Sequence, residues 1–122
     1  MKLPNYVSGE WKEGTGAGEP LFDPVTGEEL ARVSSQEIGV AAALEFARSH
    51  GGAALRQLNY RERAEVLGKI AEVMTANREE YFRISLLNSG ATQADASFDV
   101  DGAIYTMKNY AKIGKAQGIR KC

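Results

Sequence analysis

Several side-chain groups in this chain have types and spacings that suit chemistry. His50-Gly51-Gly52 has the composition of an oxyanion loop, in which glycine N–H donors lie beside a histidine. A serine hydrolase built on it also needs its nucleophile on a Gly-x-Ser-x-Gly elbow, and Ser89 has Leu87 where the first glycine belongs. Asp95, Asp99 and Asp101 are the densest carboxylates. Asp95 and Asp99, four apart on one helical face, could share a metal or perturb one another's proton affinity. A hard cation wants several oxygens around one cage, whereas acids in the first turns of a helix ordinarily complement its dipole. The one cysteine, Cys122, is the last residue. It has no second thiol for a disulfide or metal cluster, and a nucleophilic role needs a base and oxyanion donors around it. Gly14-Thr15-Gly16-Ala17-Gly18 approaches a dinucleotide fingerprint, but Glu19 occupies the place of its third glycine, so the stretch reads as a flexible connector. No nucleophile, base and oxyanion site come together, and no catalysis by the chain alone is expected.

Charge separates along the chain. All 16 acids fall between Glu10 and Asp101, while residues 102–122 carry Lys108, Lys112, Lys115, Arg120 and Lys121 and no acid. Lys108, Lys112 and Lys115 are spaced to share a helix face, which suits phosphate or an acidic partner and equally an ordinary solvated face. Nucleic-acid binding would need more basic residues interleaved with exposed aromatics, so no nucleic-acid partner is expected. At 122 residues and 43% hydrophobic content the chain is long enough to bury a core. Without an apolar run of membrane-spanning length or a hydrophobic leader after Met1-Lys2-Leu3-Pro4-Asn5, the expected location is the cytoplasm, with no membrane partner.

The elements that must position these residues fall into three parts: 1–33, 34–116 and a frayed basic tail, 117–122. Residues 1–33 read as two short hairpins. Tyr6-Val7 and Trp11-Lys12 flank Ser8-Gly9-Glu10, and Asp23-Pro24-Val25-Thr26-Gly27 turns between Leu21-Phe22 and Leu30-Ala31-Arg32-Val33. From Ser34 the period becomes helical, and about four helices are expected. Ser34 with Glu37 forms a capping box before Ile38, Ala42, Ala43 and Phe46, and Gly51-Gly52 stops that helix. Asn59 with Glu62 repeats the signal ahead of Tyr60, Ala64, Leu67, Ile70, Ala71 and Met74. Asn77 caps a third helix with Tyr81, Ile84 and Leu87 on one face, closed by Gly90. A fourth, from about Gln93 to Lys115, carries Phe98, Asp101 and Tyr105 on one line and Val100, Ile104, Met107 and Ala111 on the next, with Gly114 and Gly118 weakening its end.

Several segments, taken in order, resemble the amino-terminal region of the aldehyde dehydrogenase superfamily. They are Tyr6-Val7-Ser8-Gly9-Glu10-Trp11, the turn at Phe22-Asp23-Pro24-Val25-Thr26-Gly27-Glu28, Arg61-Glu62-Arg63-Ala64 with Leu67 and Ile70, and Asn88-Ser89-Gly90-Ala91-Thr92. The last stands where most members have Glu-Thr-Gly-Lys. Together with Phe98-Asp99-Val100-Asp101-Gly102-Ala103-Ile104 and Asn109-Tyr110-Ala111-Lys112, it is similar to the semialdehyde dehydrogenases of aerobic aromatic-acid breakdown through coenzyme A (CoA) thioesters. The likeness is strongest to the benzoyl-CoA pathway, followed by the dehydrogenase half of the phenylacetate-pathway ring-opening protein.

The resemblance implies an α/β fold of which this segment is the hairpins and helices, in an enzyme that uses NADP⁺ (or NAD⁺). In that family a catalytic cysteine forms a thiohemiacetal and a glutamate acts as base, and both lie beyond the matching region with the cofactor fold; Cys122 does not correspond to that cysteine. The segment is thus expected to bind no cofactor and to partner the remainder of the enzyme within a homo-oligomer. The helix matching Gln93–Lys115 lines part of the family's substrate entrance, which makes Phe98, Asp101 and Gly102 candidates to meet an aldehyde. Helices made to cover a neighbour should also leave an apolar flank bare. A different class of reading is a freestanding helical interaction module whose basic face docks on an acidic partner.

Overall fold

The computed structural model describes residues 1–119, so the expectations for Arg120, Lys121 and Cys122 lie outside the described residues. Five short strands come first: β1 (Lys2–Leu3), β2 (Asn5–Val7), β3 (Glu10–Lys12), β4 (Glu19–Phe22) and β5 (Glu29–Val33). Strands β2 and β3 form the first expected hairpin, with Tyr6 opposite Trp11 and their rings edge-on at 5.0 Å. Their two-residue loop has Ser8 at φ 52° and Gly9 at φ 86°, the positive pair that matches the twist of a tight hairpin. Strands β4 and β5 form the second hairpin, irregular at Leu21/Phe22. At its turn the Asp23 carboxylate accepts from Val25 N at 2.7 Å and Thr26 N at 3.1 Å. Strand β1, too short to show in the sequence pattern, adds parallel to the other edge of β5.

The glycine stretch joins the hairpins but is tied down, contrary to its flexible composition. Lys2 Nζ donates to Gly14 O at 2.8 Å and Gly16 O at 3.1 Å, Ser34 Oγ donates to Thr15 O, and Thr15 N donates to Gln36 O. Gly14 is buried, and a Cβ there would lie 2.2 Å from Ser34 O, so only glycine fits.

The helical part consists of α1 (Val40–Phe46), a π-helical turn (Ala47–Gly52), α2 (Ala53–Gln57), α3 (Tyr60–Ala76), α4 (Arg78–Ser89) and α5 (Gln93–Gln117). The expected Ser34/Glu37 box does not form. Ser34 Oγ is spent on Thr15 O and Gln36 N, Glu37 sits at φ 61°, and α1 begins after Gly39 without a side-chain cap. Nor do Gly51 and Gly52 stop the chain's helical course: the π turn runs through them into α2. The second box does form, with Glu62 N bonded to Asn59 Oδ1 at 3.0 Å and Asn59 N to Glu62 Oε2 at 2.7 Å. Asn77 does not cap α4 with its side chain, which donates back to Val73 O at 2.8 Å. Helix α5 starts where expected, with Thr92 Oγ1 accepting from Asp95 N, and ends at Gly118.

Two compact units result: one of Met1–Gly52 with Asn88–Gly90, the other of Ala53–Leu87 with the chain from Ala91 onward. In the first, Ala31, Gly14 and Asp23 are buried. In the second, α3 packs on α5 through small residues. Ala64 and Ala71 of α3 and Ala96, Ile104 and Ala111 of α5 are buried, and a Cβ on Gly114 would stand 2.9 Å from Ala64 Cβ. Side chains this small let helix axes approach and fill the interior without voids. Of the two lines on α5, that of Val100, Ile104, Met107 and Ala111 is the one turned inward, with Ile104 and Ala111 buried and Val100 and Met107 half-buried. On α3 the alanines are buried, but Ile70 of the same expected stripe lies half out, as do Val66 and Val73. On α4 the buried residue is Phe82, while Ile84 and Leu87 of the expected face are exposed.

Candidate functional site

Phe98, Asp101 and Gly102 come together on the outward face of α5, where with Ala94, Ser97 and Tyr105 they line a shallow, mostly apolar hollow. Helical geometry requires this: Val100, Ile104, Met107 and Ala111 face α3, so the line through Phe98, Gly102 and Tyr105 faces away. Phe98 is 83% exposed and Tyr105 72% exposed, a large aromatic surface for one helix face. A Cβ on Gly102 would meet nothing within 4 Å, so the missing side chain leaves open room beside Phe98.

Asp101 is not free. Its carboxylate is gripped at two points by Arg78, Nε to Oδ1 at 2.6 Å and a terminal nitrogen to Oδ2 at 2.7 Å. The same guanidinium bonds Glu79 at 2.7 Å and lies over the Phe82 ring, 4.1 Å from its centre. The hydrogen bonds from Arg78 hold the Asp101 carboxyl below the usual aspartate range, against a smaller opposing effect of desolvation, with the opposite charges adding to the lowering. Arg78 was missing from the sequence-based candidates because its partner is 23 residues away. Its one local signal is a cation at the first position of a helix, where the dipole favours an anion.

Of the other chemically suggestive groups, His50 and Asp95 make contacts with residues close to them in the chain. His50 lies inside the π turn, its ring stacked on Phe46 with centroids 4.3 Å apart and Nδ1 2.9 Å from Ser49 Oγ. Ser89 is the last residue of α4. Asp95 serves the amino end of α5, its carboxylate accepting from Thr92 Oγ1 at 2.7 Å. Among the described residues no group of three or more His, Cys, Asp or Glu is placed to hold a metal. A dinucleotide pyrophosphate needs a glycine turn leading into a helix with free N–H groups. The Gly14–Gly18 stretch leads into β4, and the N-termini of α3 and α5 are capped by their own Asn59 and Thr92, so neither the glycine stretch nor these two helix ends fits a dinucleotide pyrophosphate.

Residues 11–120 match the model of the aldehyde dehydrogenase family. The chain belongs to that family. It is 66% identical, over 97% of its length, to the 3,4-dehydroadipyl-CoA semialdehyde dehydrogenase of Aromatoleum evansii, and covers 23% of that protein. It is 30% identical over 90% of its length to the non-phosphorylating aspartate-semialdehyde dehydrogenase of Halomonas elongata, covering 22% of it. In three dimensions it superposes with a TM-score of 0.81 on the crystal structure of an NAD-dependent benzaldehyde dehydrogenase from Corynebacterium glutamicum, at 22% identity, over 93% of this chain and 25% of that one. This likeness shows that the hairpins and helices have the aldehyde dehydrogenase fold. The aldehyde dehydrogenase chain described here thus spans under a quarter of the length of these two curated relatives.

Bare apolar side chains, as expected of such a segment, are present in each of the two units. Among the described residues no large side chain is fully buried, while Trp11 is 70% exposed, Val25 78% and Val73 59%. Helices of this aldehyde dehydrogenase segment carry apolar residues on inner and outer faces alike, the pattern of helices covered on more than one side. Among the described residues no helix is long and apolar enough to cross a membrane.

Proposed function

We propose that this chain is the amino-terminal part of an NAD(P)-dependent aldehyde dehydrogenase that oxidises a CoA-thioester semialdehyde to the acid in aromatic-compound degradation, and that alone it turns over no aldehyde. The observation that carries the reading is 66% identity across 97% of the chain to a relative that acts on 3,4-dehydroadipyl-CoA semialdehyde. The segment's proposed partner is the rest of the enzyme chain, in a cytoplasmic homo-oligomer, with NADP⁺ or NAD⁺ held by that remainder.

In this reading Phe98 and Gly102 form one wall of the substrate entrance: Phe98 gives the acyl chain an apolar surface, and Gly102 leaves room for it to pass. Asp101 contributes through position, since its bridge to Arg78 fixes the turn of α5 on which the other two sit. The test is complementation. Purified segment mixed or co-expressed with the remaining residues of the Aromatoleum evansii enzyme should restore nicotinamide-dependent oxidation of a CoA-linked semialdehyde, with neither piece active alone. Reduction of NADP⁺ or NAD⁺ by the segment alone, or failure of the co-expressed pieces to associate, overturns the proposal.

A further inference from the structure

Helix α5 carries a second feature on the side of the entrance face nearer its carboxyl end. Lys108, Lys112 and Lys115 are exposed and gather around one hollow with Gly68, Glu72 and Ala111. None of the three ammonium groups has an ion pair among the described residues, although Glu72 stands on the same rim. Lysines at such spacing are often no more than solvated charge. Here their register with the entrance face argues for more. Lys112 is 14 residues beyond Phe98, four helical turns less about 40°, so it lies beside the line of Phe98 and Tyr105, with Lys108 and Lys115 farther round toward α3. At the α-helical rise it lies ~21 Å along the axis from Phe98.

We propose that Lys108, Lys112 and Lys115 bind the phosphates of a CoA-linked aldehyde whose acyl end enters beside Phe98 and Gly102. This rests on the reading of the segment as part of a CoA-semialdehyde dehydrogenase. A six-carbon semialdehyde joined through its thioester to pantetheine contains about six peptide repeats' worth of chain bonds between aldehyde carbon and diphosphate, so it spans ~21 Å when extended. One helix therefore presents an apolar surface and, farther along and turned toward α3, a cationic patch at about the separation of the ligand's two ends. Lysine suits the task as a mobile point charge that meets phosphate without demanding one geometry.

The test uses the full-length enzyme carrying this segment, made by grafting it in place of the matching residues of the Aromatoleum evansii relative. It compares kcat/KM for a CoA-linked semialdehyde with that for a free semialdehyde of equal acyl length. Replacing the three lysines by alanine, a good helix former, should lower the ratio of the two by on the order of tenfold, about the effect of losing two or three exposed charge pairs. The ratio in the unsubstituted enzyme should also fall as salt is raised, and Lys112→Arg should keep most of it. An unchanged ratio overturns the proposal. So does a parallel fall for both substrates, which marks the lysines as structural, and so does a change confined to the KM of the nicotinamide cofactor, which assigns them to the cofactor's phosphates. Failure of the unsubstituted graft to oxidise either aldehyde, where the ungrafted relative does, counts against the proposed function itself.

Discussion

Two glycines of α5 should respond to the same substitution in opposite directions. Gly102 and Gly114 both occupy helical positions, where alanine is favoured over glycine by ~1 kcal/mol. At Gly102 an added methyl meets nothing within 4 Å, so Gly102→Ala should stabilise by up to ~1 kcal/mol. At Gly114 the new Cβ falls 2.9 Å from Ala64 Cβ and 3.4 Å from Tyr60 O. A methyl cannot rotate away, and the backbone oxygen cannot yield without disturbing the first turn of α3. Pushing the helices apart costs ~1–3 kcal/mol, which outweighs the gain in propensity and leaves a net loss of ~0–2 kcal/mol. Thermal unfolding followed by far-ultraviolet circular dichroism reads the contrast, because each kcal/mol moves Tm by ~4–8 °C in a domain of roughly this size. Gly102→Ala should melt above the unsubstituted chain and Gly114→Ala below it. If Gly114→Ala melts as high as Gly102→Ala, the close packing of α3 on α5 through alanine and glycine is wrong.

Further substitutions test other joints of the fold. Gly90 sits at φ 64° just after α4, and its added Cβ would lie 2.9 Å from Pro24 Cγ, so Gly90→Ala should cost ~2 kcal/mol or more from backbone and packing together, measured by urea unfolding. Asn59→Ala removes the cap of α3 and should cost ~1 kcal/mol in the same assay, whereas Asn77→Ala, which removes no side-chain cap from α4, should cost less. The depressed Asp101 carboxyl gives a pH test. Its folded value is below its unfolded one, so its contribution to stability is complete above the unfolded range near ~3.9 and fades as pH falls through the lower folded value. An NMR titration should find Asp101 below ordinary aspartates, and Arg78→Met should return it to the ordinary range; a carboxyl unmoved by that substitution would refute the bridge.

Sequence signals succeeded where the interacting groups were neighbours along the chain. The Asn59/Glu62 box, the Ser8-Gly9 turn and the Asp23 turn each close within a few residues, so residue type and spacing specify them. The same kind of signal failed at Ser34/Glu37 because Glu37 sits at φ 61°, outside helical geometry, while Ser34 Oγ accepts from Gln36 N and donates to Thr15 O, 19 residues earlier. It also failed for the glycine connector, whose order comes from Lys2 and Gln36 and not from its own composition. Asp101 shows the limit at the candidate site: its place on one line of α5 with Phe98 and Tyr105 was legible, but its commitment to Arg78 was not.

The amino-acid sequence by itself determined the two hairpins, the start of α5, and the family, because caps and turns are local and a family likeness accumulates along the chain. Only the tertiary structure decided which apolar residues are core. Hydrophobic character marks Ile70, Ile84 and Phe98 as candidates for burial no less than Phe82, yet the helices of this segment close on alanines and leave those three exposed. The hydrophobic effect rewards removing apolar surface from water without specifying the neighbour that removes it.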